Sequence, residues 1–145
     1  MVAQRSAFWD SSALVPLFLN EPASRIANRY LRRYTPVVWW ASPVEIASAI
    51  ERSLRSGSID PGEARQAVTS LNRLRTGWQE VSPDDAVRDL ACRAVEKYPL
   101  RAADALQLAA AMLWCQQRPA GRFFLCGDKR LNEAAKRAGF AVVEI

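Results

Sequence analysis

The side chains of this chain that could do chemistry are its acids. The 145 residues include no histidine, which excludes Ser-His-Asp and Cys-His catalysis and histidine-ligated zinc. Cys92, Cys115 and Cys126 are widely spaced and form no CxxC knuckle. They read as reduced thiols in apolar segments, with no disulfide framework, and they fit a reducing, cytoplasmic setting. Metal chemistry must then rest on carboxylates, hard oxygen ligands suited to Mg²⁺ or Mn²⁺. The net charge is nonetheless +5. A basic body around an acidic centre suits an anionic substrate with metal-assisted turnover, such as a phosphodiester.

Four acids stand out: Asp10, Glu45, Asp104 and Asp128. Each has a plain structural role. Asp10 precedes Ser11-Ser12, and Asp128 precedes Lys129-Arg130-Leu131; both suit a helix N-cap. Ser42-Pro43-Val44-Glu45 matches a capping box. Asp104 falls in the first turn of an alanine-rich helix, where it complements the helix dipole. Taken singly, each position favours the structural role.

The elements that must carry these acids alter the balance. Short apolar runs at Ala7–Trp9, Val37–Trp40, Trp78–Val81, Gly121–Cys126 and Phe140–Val143 read as strands. Between them lie helical stretches at Ser11–Leu19 (with Pro16 a local irregularity), Glu21–Arg33, Ser42 to Gly57, Asp60–Thr76, Asp84–Lys97, Ala102–Gln116 and Lys129–Ala138. Ile46, Ile50 and Leu54 mark one inward stripe, and Val68, Leu71 and Leu74 another. Alternating strands and helices predict an α/β domain spanning residues 1–145, with a mostly parallel sheet covered on both faces. Ligands in such sheets bind beyond the carboxyl ends of the strands. Asp10 and Asp128 close strands at that edge, and the helix starts that carry Glu45 and Asp104 face it too. Four acids on one rim repel one another unless a cation sits among them. Asp60 opens a helix that follows a helix, and Asp84 and Asp85 read as dipole partners of theirs.

Four stretches carry a resemblance. They are Phe8-Trp9-Asp10-Ser11-Ser12-Ala13-Leu14, Ser42-Pro43-Val44-Glu45-Ile46-Ala47-Ser48-Ala49, Arg101-Ala102-Ala103-Asp104-Ala105-Leu106-Gln107-Leu108-Ala109 and Leu125-Cys126-Gly127-Asp128-Lys129-Arg130-Leu131. In this order they resemble the acidic motifs of PIN-domain ribonucleases, most of all the VapC-type toxins of toxin–antitoxin pairs. The resemblance implies a three-layer α/β/α fold around a five-stranded parallel sheet in order 3-2-1-4-5. It implies Mg²⁺- or Mn²⁺-dependent endoribonuclease activity, with metal-site roles for Asp10, Glu45, Asp104 and Asp128 and a supporting hydroxyl from Ser12. A cognate antitoxin and a homodimer are implied as partners, besides the RNA substrate. Two positions depart from the family pattern. Cys126 stands where Ser or Thr is common, and Gln107 stands where His is common.

Lys129 and Arg130 adjoin Asp128 and are candidates for RNA phosphates. Arg25, Arg29 and Arg32 share one helical face and could meet RNA or protein, or simply be solvated. Trp39 and Trp40 point to opposite sides of one strand; one reads as core, and the other as core, an oligomer contact or a base-stacking surface, with core favoured. The longest apolar run, Leu108–Cys115, is far short of a membrane span, and Met1–Asp10 lacks the apolar stretch of a leader. Two other readings compete. A phosphoreceiver-like domain would need an acidic pair near the first strand and an acceptor Asp at the end of the third; Val81-Ser82-Pro83 supplies none. A non-catalytic RNA- or protein-binding module on the same scaffold would be expected to have lost some of the four acids.

Overall fold

A computed structural model describes residues 5–145. The part of the leader reading that falls on residues 1–4 lies outside the described residues. Five strands, β1 (Arg5–Trp9), β2 (Tyr34–Trp39), β3 (Gln79–Val81), β4 (Phe123–Cys126) and β5 (Ala141–Glu144), form one all-parallel sheet in the order β3-β2-β1-β4-β5. This is the order that the resemblance implies. Register places Trp9 opposite Leu125, and the Asp10 N–H extends the ladder to the Leu125 carbonyl at 2.9 Å. Pro36, which has no N–H to give, precedes the part of β2 paired on both sides.

The strands alternate between two cores, as the period-two pleat requires. Phe8, Val37, Trp39, Phe124 and Cys126 face one side. There they meet α5 (Asp85–Lys97), α6 (Ala102–Trp114) and α7 (Lys129–Ala138). Ala7, Trp9, Val38 and Leu125 face the other. That side is covered by α1 (Ser11–Leu14), α2 (Ser24–Leu31), α3 (Ser42–Arg55) and α4 (Pro61–Arg75). Phe8 and Phe124 stack across β1 and β4 with centroids 5.4 Å apart. Each fully buried side chain of this size contributes about 1.5–3 kcal/mol relative to exposure. The close fit of α6 comes from Ala105, Ala109, Ala110 and Ala111, all buried.

Several boundaries differ from the sequence reading. Pro16 turns the end of the first helical stretch into a short 3₁₀ segment, Val15–Leu17, since its ring cannot continue the α-helical bonding. The second helix starts at Ser24, whose hydroxyl accepts from the Glu21 N–H at 2.9 Å. Helix α6 stops at Trp114 because Gln116 and Gln117 adopt left-handed backbone angles. Val68 is exposed, because Ala64, Ala67 and Leu71 form the inward stripe of α4 and Val68 lies off it. Cys92 is exposed next to buried Ala91, one step around the helix. Trp39 is core, whereas Trp40 follows the end of β2 and is 53% exposed.

Candidate active site

The strand order reverses between β1 and β4, and both strands end in an acid that caps the next helix. Asp10 accepts the backbone N–H of Ser12 at 3.0 Å, and Asp128 accepts that of Leu131 at 2.9 Å. The capping roles read from sequence therefore hold for these two. They leave the carboxylates at one sheet edge, beside one another in strand order.

Glu45 behaves differently. The N-cap of α3 is Ala41, with no side-chain cap bond, so Ser42-Pro43-Val44-Glu45 forms no capping box. Glu45 turns instead toward α6, where Gln107 Nε2 donates to its Oε1 at 2.9 Å. Asp104 lies one turn earlier on α6. Asp10, Ser12, Glu45, Asp104 and Asp128 all line one open cleft of about 480 Å³. The cleft adjoins a larger depression of about 770 Å³, with which it shares Ser12, Val15, Ala49 and Arg52.

Ser12 braces the centre. Its Oγ donates to Asp10 Oδ2 and accepts the Gly127 N–H at 2.8 Å, so one hydroxyl ties the β1 acid to the β4–α7 turn. The turn passes close to its neighbours: a Cβ on Gly127 would touch the Ser12 and Ile145 carbonyl oxygens at 3.4 Å, an ordinary van der Waals contact. Cys126 Sγ lies 3.6 Å from Asp10 Oδ2 and 3.4 Å from Ser12 Oγ, and accepts the Asp128 N–H at 3.3 Å. The thiol thus stands between the two strand-end acids. Burial, reinforced by the Asp10 charge, pushes its pKa upward and keeps it protonated. Asn132 anchors the same strand end through its Nδ2 bond to the Cys126 carbonyl at 3.2 Å.

The electrostatics are those of crowded anions. Burial raises the Asp10 pKa, against the lowering effect of the Ser12 bonds. Glu45 is raised by burial first and by the Asp10 charge second. Asp104 is raised by burial, then by the charges of Asp10 and Asp128, with Arg101 and Arg130 opposing. Among the described residues, no group of three or more His, Cys, Asp or Glu side chains is drawn together closely enough to hold a metal ion by itself. The acids form an open rim. Such a rim fits Mg²⁺, which keeps several waters and takes one or two carboxylates directly, better than it fits a closed all-protein cage.

The family model for the PIN domain matches residues 7–137. The chain belongs to the PIN-domain family. Among proteins to which this PIN domain is similar, Ribonuclease VapC46 of Mycobacterium tuberculosis (strain ATCC 25618 / H37Rv) is 34% identical over 137 residues, covering 94% of this chain and 95% of that one. Two solved structures share the fold. A toxin–antitoxin complex from Klebsiella pneumoniae superposes with a TM-score of 0.66 at 19% identity, over 97% of this chain and 100% of that one. FitAcB from Neisseria gonorrhoeae gives a TM-score of 0.66 at 13% identity, over 95% and 96%.

Sequence reasoning named Lys129 and Arg130 but missed two other cations of the PIN-domain site, Arg52 and Arg101. Arg52 lines it, seven residues after Glu45 on α3; that spacing returns a helix to the same face and was the available signal. Arg101 and Arg130 act on Asp104 through their charge. Lys129 and Arg130 are exposed in the first turn of α7. Arg25, Arg29 and Arg32 are exposed on or just after α2, and none lines the acidic cleft. Among the described residues no helix is long and apolar enough to cross a membrane.

Proposed function

We propose that this PIN domain is a metal-dependent endoribonuclease that hydrolyses RNA phosphodiester bonds, acting in the cytoplasm as the toxin of a type II toxin–antitoxin pair. One observation carries the reading: a single cleft gathers Asp10, Glu45, Asp104 and Asp128, and burial disfavours the anions of Asp10, Glu45 and Asp104, with the charge of neighbouring acids adding to it at Glu45 and Asp104. Buried like charges invite a compensating cation. The relationship to a ribonuclease at 34% identity over nearly the whole chain supports the RNA substrate.

Asp10, Glu45, Asp104 and Asp128 are the residues that would hold Mg²⁺ or Mn²⁺. When bound, the ion supplies an activated water and stabilises charge on the phosphate and the leaving oxygen. The protein's own part is positioning. Ser12 and the backbone of α1 fix Asp10. Glu45, whose proton affinity is raised, is suited to accept a proton from the attacking water. Arg52 at the cleft wall and Arg130 beside Asp104 hold the phosphates of the strand, with Lys129 extending that cationic side. The antitoxin is a protein that covers this cleft, and a second copy of the chain completes a homodimer.

The test is growth on induction of this chain alone, together with the small adjacent reading frame, and as Asp10→Asn. Arrest, rescue and no arrest are the expected results. A purified wild type that leaves RNA intact in Mg²⁺ and in Mn²⁺ would overturn the proposal.

A further inference from the structure

The side chain of Gln107 is completely buried, one helical turn beyond Asp104. Its Nε2 lies 2.9 Å from Glu45 Oε1, 2.9 Å from Ser11 Oγ and 3.2 Å from Ser42 Oγ. These partners come from α3, α1 and α3 in turn, so a single amide ties α6 to both helices that meet at the cleft. Its Oε1 is buried without a hydrogen-bond partner among the described residues. A buried carbonyl oxygen is costly to leave unpaired. The amide accepts that cost on its oxygen side and keeps its NH₂ toward the carboxylate. Turned over, it would set its oxygen against Glu45 Oε1.

The chemistry of the group matters as much as its place. A primary amide offers two N–H donors, carries no net charge and does not titrate. An arginine or lysine there would hold Glu45 as firmly, yet would cancel the negative charge that a cation in the cleft requires. An imidazole would bring one N–H and a proton that comes and goes near neutral pH. Gln107 orders the carboxylate without neutralising it. Asp104 and Gln107 also share α6 at a three-residue spacing, so the seating of one helix sets two points of the rim together.

We propose that Gln107 is the positioning residue for Glu45 and thereby sets the affinity of the cleft for a divalent cation. This rests on the reading of the acids as a metal site. Hydrogen-bond partners that orient metal ligands change affinity by about 10–100-fold when removed. The test uses the full chain without RNA, with Mn²⁺ binding followed by electron paramagnetic resonance and by calorimetry. Gln107→Met, close in length and without a donor, should weaken Mn²⁺ binding by about 10-fold or more. In a Glu45→Gln background the same change should add less than about 2-fold, because a positioning residue has nothing left to position. Gln107→His, which restores a ring N–H, should recover most of the affinity at alkaline pH. If Gln107→Met does not fold, Gln107→Asn withdraws the amide by one methylene and takes its place in the cycle. Wild-type affinity in Gln107→Met, or an equal loss with and without Glu45, overturns the positioning role alone. A wild type that binds no Mn²⁺ overturns the metal-site reading and this inference with it.

Discussion

Among the helix starts that use aspartate as an N-cap, those of α4 and α1 put it to opposite electrical effect. At the start of α4, Asp60 accepts the Glu63 N–H at 2.8 Å, Glu63 reaches back to the Asp60 N–H at 3.3 Å, and the capping box is complete. Asp60 is exposed, and the bond from the Glu63 backbone is the main cause that lowers its pKa. At the start of α1, Asp10 also caps its helix, but burial outweighs the hydrogen bonds and raises its pKa. Cap geometry therefore does not separate the Asp60 carboxylate from that of Asp10, which is proposed to hold a metal ion. Burial does: for Asp60 the hydrogen bonds and the Arg65 charge outweigh a small desolvation, whereas for Asp10 desolvation outweighs its hydrogen bonds, and its charge in turn raises Glu45 and Asp104.

The strongest way to break this comparison is to neutralise both sites. Asp10→Asn keeps a good N-cap and removes a charge from the rim. Either Asp10→Asn or Asp104→Asn should lower cleavage of a fluorescent RNA by about 10²-fold or more, the scale of losing a ligand or an electrostatic contact at a reacting phosphate. Asp60→Ala should leave cleavage at the wild-type rate and lower the melting temperature. Near-normal turnover by Asp10→Asn would erase the distinction between the two caps.

Next in size is the cationic side. Replacing Lys129 and Arg130 together by Ala should weaken RNA binding by about 10-fold at moderate salt. It should also reduce the slope of log affinity against log salt by roughly 0.7 for each single-strand phosphate released. Nitrocellulose binding at several salt concentrations measures both. A parallel line, shifted or not, would assign these residues to a solvated face.

A smaller effect sharpens the electrostatic half of the contrast. Asp10, Glu45 and Asp104 hold their protons more tightly in the folded state than the ordinary values of 3.8 for Asp and 4.5 for Glu. Between the ordinary and the raised values the native state binds more protons than the unfolded one, so stability falls as pH rises through that window. Asp60 has the opposite sign: its contribution is present above 3.8 and is lost as pH falls through its lowered value. In EDTA, the melting temperature of wild type relative to the Asp10→Asn, Asp104→Asn double variant should drop between pH 4 and pH 7. A few degrees is the expected size, since about 1 kcal/mol moves a chain of this length by ~2–4 °C. Added Mg²⁺ at pH 7 should restore the difference. A flat profile in EDTA would mean that neither burial nor neighbouring charge disfavours these acids as anions in the folded protein.

What the sequence made legible follows from the same physics. Asp10 and Asp128 could be placed because each ends an apolar strand, and parallel strands end on one edge. Asp104 was harder: α6 follows a helix, so no strand end marks it, and its place on the rim rests on its position in the first turn of that helix and on its motif in the family pattern. The Gln107 network had no local signal at all. A glutamine inside a run of Ala and Leu carries no periodicity, and its partners Ser11, Ser42 and Glu45 are far away in sequence. The capping box at Ser42–Glu45 was misread by one position. With Ala41 as the N-cap, Ser42 lies inside the helix, and its hydroxyl is free to meet Gln107. Exposure of Cys92 and Val68 was lost to a single step of helical phase, about 100°. Strand order was legible only through the resemblance, because spacing alone does not say which parallel strand is central.

The smallest expected effect concerns the thiol at the centre of the rim. Cys126 is fully buried, accepts the Asp128 N–H at 3.3 Å and approaches Asp10 Oδ2 at 3.6 Å. A hydroxyl in its place is a better donor and acceptor and has shorter reach. Cys126→Ser therefore exchanges two long, weak contacts for one good bond, to Asp10 or to Asp128. Neither acid loses its principal partner, since Ser12 still holds Asp10 and Leu131 still donates to Asp128. Removing the larger sulfur from a tight site costs some packing, which opposes the gain. The two terms are of similar size, so kcat should move by less than about 3-fold and the melting temperature by no more than a few degrees. The direction is informative. A rise in activity would mean that Asp128 is under-supported with sulfur beside it, and a loss above about 10-fold would make the thiol itself part of the machinery that separates the rim from the Asp60 cap.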